Sequence, residues 1–179
     1  MSVYTPKYEP NGNEVAVVHT SKGDIRVKLA GKDAPVHVGN FVELSQSGFY
    51  NGLKFHRYVP DFVIQGGCPH TRDLTPDQVR SGRAYPAPGT GGPGYNIQGE
   101  WMVNPNNKHI EGALAMARSQ HPDSAGSQFY FCLGSQHFLD DNYTVFGAAC
   151  DGSDIDIIYT LRAGDEILSI EIEGAHQDV

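Results

Sequence analysis

The sequence predicts a mainly β protein, a closed antiparallel barrel capped by two α-helices. Short β-prone runs recur along the chain, and only two helical segments separate them. These elements do not alternate as strands and helices do in a parallel α/β sheet. The 179 residues include 21 glycines and 11 prolines, a turn-rich usage typical of all-β proteins. The length corresponds to one domain spanning residues 1–179.

The chain begins with an arm and a hairpin. Residues 1–13 are polar and indicate an extended N-terminal arm. Strands are expected at residues 15–19 and 25–29, joined by a turn at 20–24. In the second strand apolar and charged residues alternate, which predicts that one face is buried.

A helix is expected after the hairpin. Asp33 is a candidate N-cap, and Pro35 suits the first helical turn. Apolar residues at helical spacing continue until Gly48 ends the segment. This helix should close one mouth of the barrel or lie across the sheet.

The middle of the chain combines a β-prone run with a long loop. Within residues 53–65, the segment from Phe62 to Gln65 suits a strand. Residues 68–100 are irregular and rich in Gly and Pro, and a loop of this size is usually functional or disordered. Its glycine-rich part, residues 89–95, lacks the Gly-Lys-Ser/Thr ending of a phosphate-binding loop.

The last third of the chain returns to β-prone runs. The run at residues 112–117 consists of small residues, which suggests close approach of a strand or a ligand. The other predicted elements are strands at 127–133, 144–147 and 166–172 and a second helix at 154–161.

Composition excludes several partners. The formal net charge is −8, from 13 Lys+Arg against 21 Asp+Glu. Nucleic acid and anionic membranes require clustered positive charge, so neither is expected as a partner. No stretch approaches a membrane span, and the N-terminus lacks the regions of a signal peptide. Cys68, Cys132 and Cys150 have no motif spacing, which predicts free thiols in a reducing compartment, taken as the cytoplasm.

The familiar catalytic constellations are not found in the sequence. Eight histidines are scattered without metal-ligand spacing, so no metal site is expected and most are assigned to the surface or to loops. Ser127 has no Gly-x-Ser-x-Gly elbow and is interpreted as a strand-start residue that bonds the backbone. Cys132 is interpreted as a small buried hydrophobe, whereas Cys68 lies in a loop where exposure is expected.

One stretch, residues 55–67, places a cation within an apolar run. Arg57 is the cation, and the run ends at Gln65 and two glycines. A break at Pro60-Asp61 would let Arg57, Phe62 and Gln65 converge on one surface. The alternative is a solvated arginine at a strand edge.

Around this cation the sequence predicts an apolar pocket with few polar groups, the general form of a small-ligand site. It would be formed by Arg57, Phe62, Val63, Gln65, Gln128, Tyr130, Phe138 and Leu139. The pocket offers no nucleophile and no general base. Few reactions need neither, and one of them is rotation about a peptide bond.

These residues resemble the cyclophilins, which are peptidyl-prolyl cis-trans isomerases. Residues 55–67 are similar to their Phe-His-Arg…Pro-x-Phe-x-x-Gln-Gly-Gly signature. The other matching segments are 126–131 (Gly-Ser-Gln-Phe-Phe-Ile in the family), 138–140 with 145–147 (Trp/Phe-Leu-Asp…Val-Phe-Gly), and 89–95 with 117–120, which resemble bacterial members. The motifs cover about residues 13–173. The resemblance implies an eight-stranded antiparallel barrel, capped by two helices, with the substrate groove on its outer face.

The resemblance also implies roles for individual residues. Arg57 would be the catalytic arginine, and Gln65 and Gln128 would hold the substrate backbone and orient it. The proline pocket would be lined by Phe62, Val63, Tyr130 and Leu139, with Phe138 at its rim. The remaining substrate contacts would be His56, Ala117, Arg118 and Tyr143, with Arg118 acting mainly through its backbone beside the residue before proline.

The implied partners are proline-containing peptides and unfolded proteins, bound by a monomer without a cofactor. Four positions depart from the common family pattern: Val63 replaces Met, Tyr130 replaces Phe, Phe138 replaces Trp and Tyr143 replaces His. In sensitive relatives cyclosporin uses the tryptophan indole N–H, so weak cyclosporin binding is expected here. Residues 68–88 are longer than in compact relatives and are expected to alter access to the groove.

Two other functions stay open. Tyr130 and the long loop would also suit a proline-peptide binding module with little turnover, whereas Arg57 with Gln65 and Gln128 favours the isomerase. A barrel that binds a small molecule in its lumen is disfavoured, because large apolar residues would fill the interior.

Overall fold

The computed structural model describes residues 3–176 and contains an eight-stranded antiparallel sheet, which confirms the predicted mainly β fold. The strands are β1 (Val15–Thr20), β2 (Gly23–Leu29), β3 (Arg57–Val59), β4 (Val63–Gly66), β5 (Ala113–Met116), β6 (Phe129–Cys132), β7 (Val145–Ala149) and β8 (Ile167–Glu173). Their order across the sheet is β3-β4-β6-β5-β7-β2-β1-β8. Within these residues there are three α-helices: α1 (Pro35–Gln46), α2 (Pro76–Ser81) and α3 (Gly152–Thr160).

Alternation sets the faces of the first hairpin. In β2, Ile25, Val27 and Leu29 are buried, and the charged residues between them are exposed. β1 pairs with β2 on one side and with β8 on the other. The alternation predicted from the sequence therefore determines which face of this hairpin packs against the core.

The barrel closes less completely than the sequence predicts. No ladder joins the edge strands β3 and β8. The segments 52–55 and 164–167 instead exchange four backbone hydrogen bonds of 2.8–2.9 Å, around a single bridge between Lys54 and Glu166. The sheet is therefore a curled half-barrel sealed by a short irregular seam, because the chain turns away at both ends of that seam before a ladder can form.

Aromatic side chains fill the interior. The largest fully buried side chains include Phe41, Tyr50, Phe55, Phe129, Phe131 and Phe146. Phe129 is central, with edge-to-face ring contacts to Phe41 and Tyr50 at 5.7 and 5.4 Å between centroids. A lumen packed with side chains agrees with the expectation that the barrel interior is not a ligand site.

The first helix begins differently from the prediction. Its N-cap is Ala34, which has no side chain able to cap, and Asp33 accepts a hydrogen bond from Asn107 instead. The carboxylate of Glu100 caps α1 from a distant loop by accepting the backbone N–H groups of Val36 and His37 at 3.0 and 2.8 Å. An anion at this end of the helix also complements the helix dipole.

The predicted loop at residues 68–100 contains the third helix, so the expectation of two helices was wrong. α2 has a reciprocal capping box between Thr75 and Gln78, and it ends at Gly82 in the left-handed conformation with φ 66°. The helix spans only six residues, too few to display an apolar period in the sequence.

Two of the histidines are buried. His37, in α1, is 1% exposed, and His109, in a loop, is 0% exposed. Each donates to a carboxylate, His37 Nδ1 to Glu100 at 2.7 Å and His109 Nδ1 to Asp140 at 2.9 Å. A carboxylate partner makes burial of an imidazole possible, and sequence spacing did not reveal either partner.

The N-terminal segment lies against α1 and β1. Residues 3–13 form no helix or strand, apart from a bridge at Val3. Glu43 accepts hydrogen bonds from the Tyr4 hydroxyl and from two backbone amides of this segment. The predicted arm and single domain also include residues 1–2 and 177–179, which lie outside the described residues, and this domain assignment stays a prediction.

Membrane-spanning helices and metal-binding clusters are both absent from residues 3–176. No helix in this range is long and apolar enough to cross a membrane. No group of three or more His, Cys, Asp or Glu side chains in it is placed to hold a metal ion.

Candidate active site

The groove starts at the hairpin formed by β3 and β4. Arg57 pairs directly with Gln65, so their side chains share the outer face of the sheet. The turn at residues 60–62 places Asp61 at φ 63° and brings Phe62 back beside Arg57. The Arg57 guanidinium carbon lies 5.7 Å from the centroid of the Phe62 ring. The predicted break at Pro60-Asp61 therefore does bring Arg57, Phe62 and Gln65 together.

An apolar floor continues from this hairpin onto the neighbouring strands. Val63 pairs with Cys132, and Gln65 pairs with Tyr130 across the β4–β6 ladder. Val63, Ala113, Ala115, Tyr130, Cys132 and Val145 form a buried cluster that is separate from the barrel core, edged by Phe62, Ala117, Leu139 and Tyr143. This second cluster gives the outer face of the sheet a water-poor floor.

Ten of the twelve predicted site residues line a single cavity of about 400 Å³ above this floor. They are His56, Arg57, Phe62, Val63, Gln65, Ala117, Arg118, Tyr130, Leu139 and Tyr143. Pro88 and Gly89 complete the lining, and sequence reasoning did not assign them to the site. We call this cavity the proline pocket.

The two remaining predicted residues lie beside the proline pocket. Phe138 is 68% exposed and stacks on Phe62, with 5.7 Å between ring centroids and 22° between planes. Its position is the predicted one at the rim. Gln128 lines an adjoining cavity of about 510 Å³, together with the glycine-rich loop. We call this second cavity the loop pocket.

The two glutamines connect the strands to the loop. The Gln65 amide donates to Gln128 Oε1 at 3.1 Å. Gln128 Nε2 in turn donates to the carbonyl oxygens of Gly89 and Gly91 at 2.9 and 2.8 Å. Among the described residues neither glutamine hydrogen-bonds Arg57, so these amides position the loop and not the guanidinium as predicted.

Cys68 is buried, contrary to the expected exposure. The residue is 0% exposed, and its Sγ accepts the backbone N–H groups of Gly89 and Gly91 at 3.3 Å each. The loop thus folds back over the thiol and excludes water from it. Cys132 is buried as predicted, and burial raises the pKa of its thiol to about 12. A thiol with that pKa is protonated at neutral pH and does not act as a nucleophile.

Ser127 also behaves as predicted. It is 1% exposed, and its hydroxyl donates to the carbonyl oxygen of Gly67 at 2.8 Å. The bond ties the end of β4 to the start of β6. The Ser127 hydroxyl therefore has a structural role.

A buried polar chain lies beneath the floor and was missed by sequence reasoning. His109 Nδ1 is 2.9 Å from Asp140 and Nε2 is 2.9 Å from the Tyr130 hydroxyl. Burial lowers the pKa of His109, although Asp140 partly offsets this. A neutral imidazole that donates to Asp140 accepts from Tyr130, so the chain fixes the Tyr130 ring from below. Only the tyrosine in place of phenylalanine gave a sequence signal.

His56 separates Arg57 from the loop. Burial and the Arg57 charge lower the pKa of His56 to about 4. Its Nδ1 is buried and has no hydrogen-bond partner among the described residues. The imidazole is therefore neutral at physiological pH, and it leaves the charge of Arg57 unopposed at the pocket.

Comparison with known families decides the identity of this arrangement. Residues 15–172 match the model of the family described as cyclophilin type peptidyl-prolyl cis-trans isomerase/CLD. The chain belongs to this family. It therefore catalyses isomerisation of proline peptide bonds, and the absence of a nucleophile around Arg57 agrees with a reaction that forms no covalent intermediate.

Individual relatives support the same assignment for this cyclophilin. A peptidyl-prolyl cis-trans isomerase of Synechococcus elongatus is 43% identical over 157 residues, 88% of this chain and 94% of the relative. A Cryptosporidium parvum cyclophilin type isomerase has a crystal structure with TM-score 0.72 and 26% identity, covering 91% of this chain and 99% of that one. Its structure in the presence of the dipeptide Ala-Pro gives TM-score 0.67 and 28% identity, covering 92% and 99%.

Arg118 lines both the proline pocket and the loop pocket of this cyclophilin. Its expected contact with the substrate, mainly through its backbone, stays a prediction. The guanidinium carbon lies 5.1 Å from the Trp101 ring centroid and 4.8 Å from that of Tyr143. Sequence spacing did not indicate that Trp101 approaches the groove.

Proposed function

We propose that the proline pocket is where this cyclophilin isomerises X-Pro bonds in peptides and unfolded proteins, with Arg57 as the catalytic group. One observation carries the assignment. Arg57 is an exposed guanidinium above an apolar floor, it stacks on Phe62, and no salt bridge or hydrogen bond to another described residue involves it. Its donors are therefore available to a substrate.

The reaction needs a hydrogen-bond donor such as Arg57 at one stage, when the X-Pro bond is twisted. Amide resonance opposes rotation about the X-Pro bond with a barrier of about 18–20 kcal/mol. Twisting the bond removes that resonance and localises a lone pair on the prolyl nitrogen. A guanidinium that donates to this nitrogen stabilises the twisted state more than either planar isomer, which lowers the barrier.

The pocket walls supply the remaining functions. Phe62, Val63, Tyr130 and Leu139 would hold the pyrrolidine ring while the preceding carbonyl group rotates. The proline then stays fixed relative to Arg57 throughout the rotation. Holding the ring in this way aligns a flexible substrate with the Arg57 guanidinium.

The experiment compares Arg57→Ala with the wild type on an X-Pro peptide, by NMR exchange or a protease-coupled assay. We expect kcat/KM to fall by about a hundredfold, the scale seen when a preorganised donor is removed from a transition state. Arg26→Ala is the matched control, because Arg26 is a surface guanidinium paired with Glu173 and lies in neither pocket. Equal rates for Arg57→Ala and wild type would disprove the assignment.

We also propose that cyclosporin binds this protein weakly. The exposed ring at the rim is Phe138, which lacks the indole N–H that sensitive relatives use. Phe138→Trp should lower the cyclosporin concentration for half inhibition by about tenfold, the effect of one hydrogen bond gained. Nanomolar inhibition of the wild type would contradict this proposal.

Two coarser properties are proposed with it. We infer that the protein acts as a monomer, which sedimentation at working concentration would test. The free thiols Cys68, Cys132 and Cys150 agree with the proposed reducing compartment, the cytoplasm. Fractionation of the cells that make the protein would test the location.

A further inference from the structure

Arg118 is held rigidly at the junction of the two pockets. Its Nε donates to the carbonyl oxygen of Asn142 at 2.9 Å, and Nη1 donates to those of Ser119 and Gln120 at 2.9 and 3.1 Å. The guanidinium carbon also lies over the Trp101 ring and over the Tyr143 ring, 5.1 and 4.8 Å from their centroids. Three hydrogen bonds and two ring contacts remove most of the freedom of a side chain that is usually mobile.

These contacts leave part of the binding capacity of Arg118 unused. A guanidinium has five N–H donors, and the three bonds occupy those on Nε and Nη1. Among the described residues Nη2 has no hydrogen-bond partner, and no carboxylate forms a salt bridge with Arg118. All three acceptors are neutral carbonyls, so its positive charge is not compensated.

The two pockets that Arg118 lines contain no acidic residue among the described residues. The chain nevertheless has 21 acidic residues and a net charge of −8. The nearby Asp123 accepts the backbone N–H of Gly99 and does not line the loop pocket. The groove is therefore positively charged, through Arg57 and Arg118, although the protein as a whole is acidic.

The loop pocket adds a neutral donor beside the same charge. Thr90, Ser119 and Ser124 line it, and His70 Nδ1 lies 3.1 Å from Thr90 Oγ1. The hydroxyl groups of Thr90 and Ser124 donate to the carbonyl oxygens of Ala87 and His121, whereas that of Ser119 has no hydrogen-bond partner among the described residues. A free hydroxyl beside a preorganised guanidinium suits a carboxylate, which accepts several hydrogen bonds and prefers a planar fork.

We propose that Arg118 is a specificity-determining residue, and that it selects substrates with an acidic side chain close to the proline on its N-terminal side. The inference rests on the proposed function and on the expectation, implied by the family resemblance, that Ala117 and Arg118 flank the residue before proline. A substrate chain that continues from that residue passes the loop pocket. The acidic side chain is then the residue before proline or the one preceding it, and its carboxylate binds Nη2 of Arg118.

The test measures kcat/KM by NMR exchange on matched X-Pro peptides with Glu, Gln or Lys at each of these two positions. NMR exchange avoids a coupling protease with charge preferences of its own. At one of the two positions we expect the wild type to prefer Glu over Gln by about threefold to fivefold, the range of a partly exposed ion pair. Lys should be poorer than Gln, although the net charge of −8 attracts it at long range.

Two variants assign the preference to Arg118. Arg118→Gln should bring the Glu-to-Gln ratio to about 1, whatever its effect on the rate with the Gln peptide. Arg162→Gln is the control, because Arg162 also stacks on a tyrosine, 4.5 Å from the Tyr58 centroid, and lies in neither pocket. It should keep the wild-type ratio.

The possible results separate this inference from the proposed function. Equal wild-type rates with Glu and Gln, or a preference that survives Arg118→Gln, would overturn the role of Arg118 while leaving the isomerase site intact. Failure of the wild type to act on any peptide would overturn both. If Arg118→Gln does not fold, Arg118→Asn takes its place with the same expected ratio of about 1, because Arg57 alone could also favour Glu in the wild type.

Discussion

The groove has two walls that are built in different ways. The strand wall consists of β3, β4 and β6, and backbone ladders hold it in register from Arg57↔Gln65 to Gly66↔Phe129. The loop wall, residues 87–94, contains no helix or strand. It is held by three side chains, the thiol of Cys68, the amide of Gln128 and the imidazole of His70.

Because of this difference, we expect substitutions to displace the loop wall more easily than the strand wall. A ladder distributes its strength over many backbone bonds, so one side-chain change does not move the strand wall. The loop wall depends on five hydrogen bonds to three side chains, so a single substitution can move it while the barrel stays folded. Arg57, the proposed catalytic group, lies on the strand wall, and part of the lining of the loop pocket lies on the loop wall.

The largest effect should come from Gly67→Ala, at the end of the strand wall. Gly67 has φ 91°, and a Cβ there would lie 2.5 Å from the carbonyl oxygen of Ser127. The left-handed conformation and the clash with backbone together should lower the free energy of unfolding by about 3 kcal/mol or more. Urea denaturation would measure the change.

Gly82→Ala is the matched control on the loop side of the groove. Gly82 also has a positive φ of 66°, but nothing lies within 4 Å of a Cβ added there. Only the conformational cost remains, about 1 kcal/mol. Similar losses for the two variants would show that packing against Ser127 does not fix the strand wall.

The same division explains what could be predicted from the sequence. The strand wall follows from local signals: the apolar run to Gln65, the break at Pro60-Asp61 and the glycine pair placed Arg57 and Phe62 correctly. The loop wall depends on contacts that span long stretches of chain, 21 and 23 residues from Cys68 and 37 and 39 from Gln128. Contacts between residues so far apart leave no periodic pattern in the sequence from which they could be predicted.

Side-chain chemistry at a distance was missed for the same reason. The bond from Tyr130 to His109 and the packing of Arg118 on Trp101 each join segments that the sequence treats separately. Motifs identified the residues of the site. They did not identify the partners that orient them, because partners are set by how the barrel brings distant loops together.

An intermediate effect is expected from pH, at the contact between the walls. His56 adjoins Arg57 in the strand wall, and a methyl group added at Gly89 of the loop wall would lie 3.2 Å from its ring. Burial and the Arg57 charge lower the pKa of His56 from 6.5 to about 4. The unfolded chain therefore binds this proton first as pH falls, and stability is lost between pH 6.5 and about 4.

The size of this loss should be about 2 to 3 kcal/mol, since each pH unit between the two pKa values contributes about 1.4 kcal/mol. Other groups also titrate in this range, so the quantity to compare is the difference between wild type and His56→Gln. Unfolding free energies measured from pH 7 to 4 should show a shallower decline for the variant. Parallel curves would mean that His56 does not titrate as a buried group.

The smallest effect, and the sharpest test of the comparison, is expected from Cys68→Ala. Removal of the thiol leaves the amides of Gly89 and Gly91 without their acceptor, which should cost about 1 kcal/mol because water can reach part of the loop. The loop wall should loosen: KM should rise by about fivefold, which corresponds to the same free energy in binding, with a smaller change in kcat. Hydrogen exchange at Gly89 and Gly91 should accelerate, while exchange in β4 and β6 stays slow.

Two cysteine variants make the result specific to the loop wall. Cys68→Ser keeps an acceptor at the same position and should restore much of the slow exchange. Cys132→Ala removes an equally buried thiol from the strand wall, where Val63 pairs with its backbone. It should lower the free energy of unfolding without accelerating exchange at Gly89 and Gly91. If Cys132→Ala loosened the loop as much as Cys68→Ala, the two walls would be mechanically coupled. The groove would then respond to substitutions as one unit, and the adjustability assigned to the loop wall would have to be shared by the strands that carry Arg57.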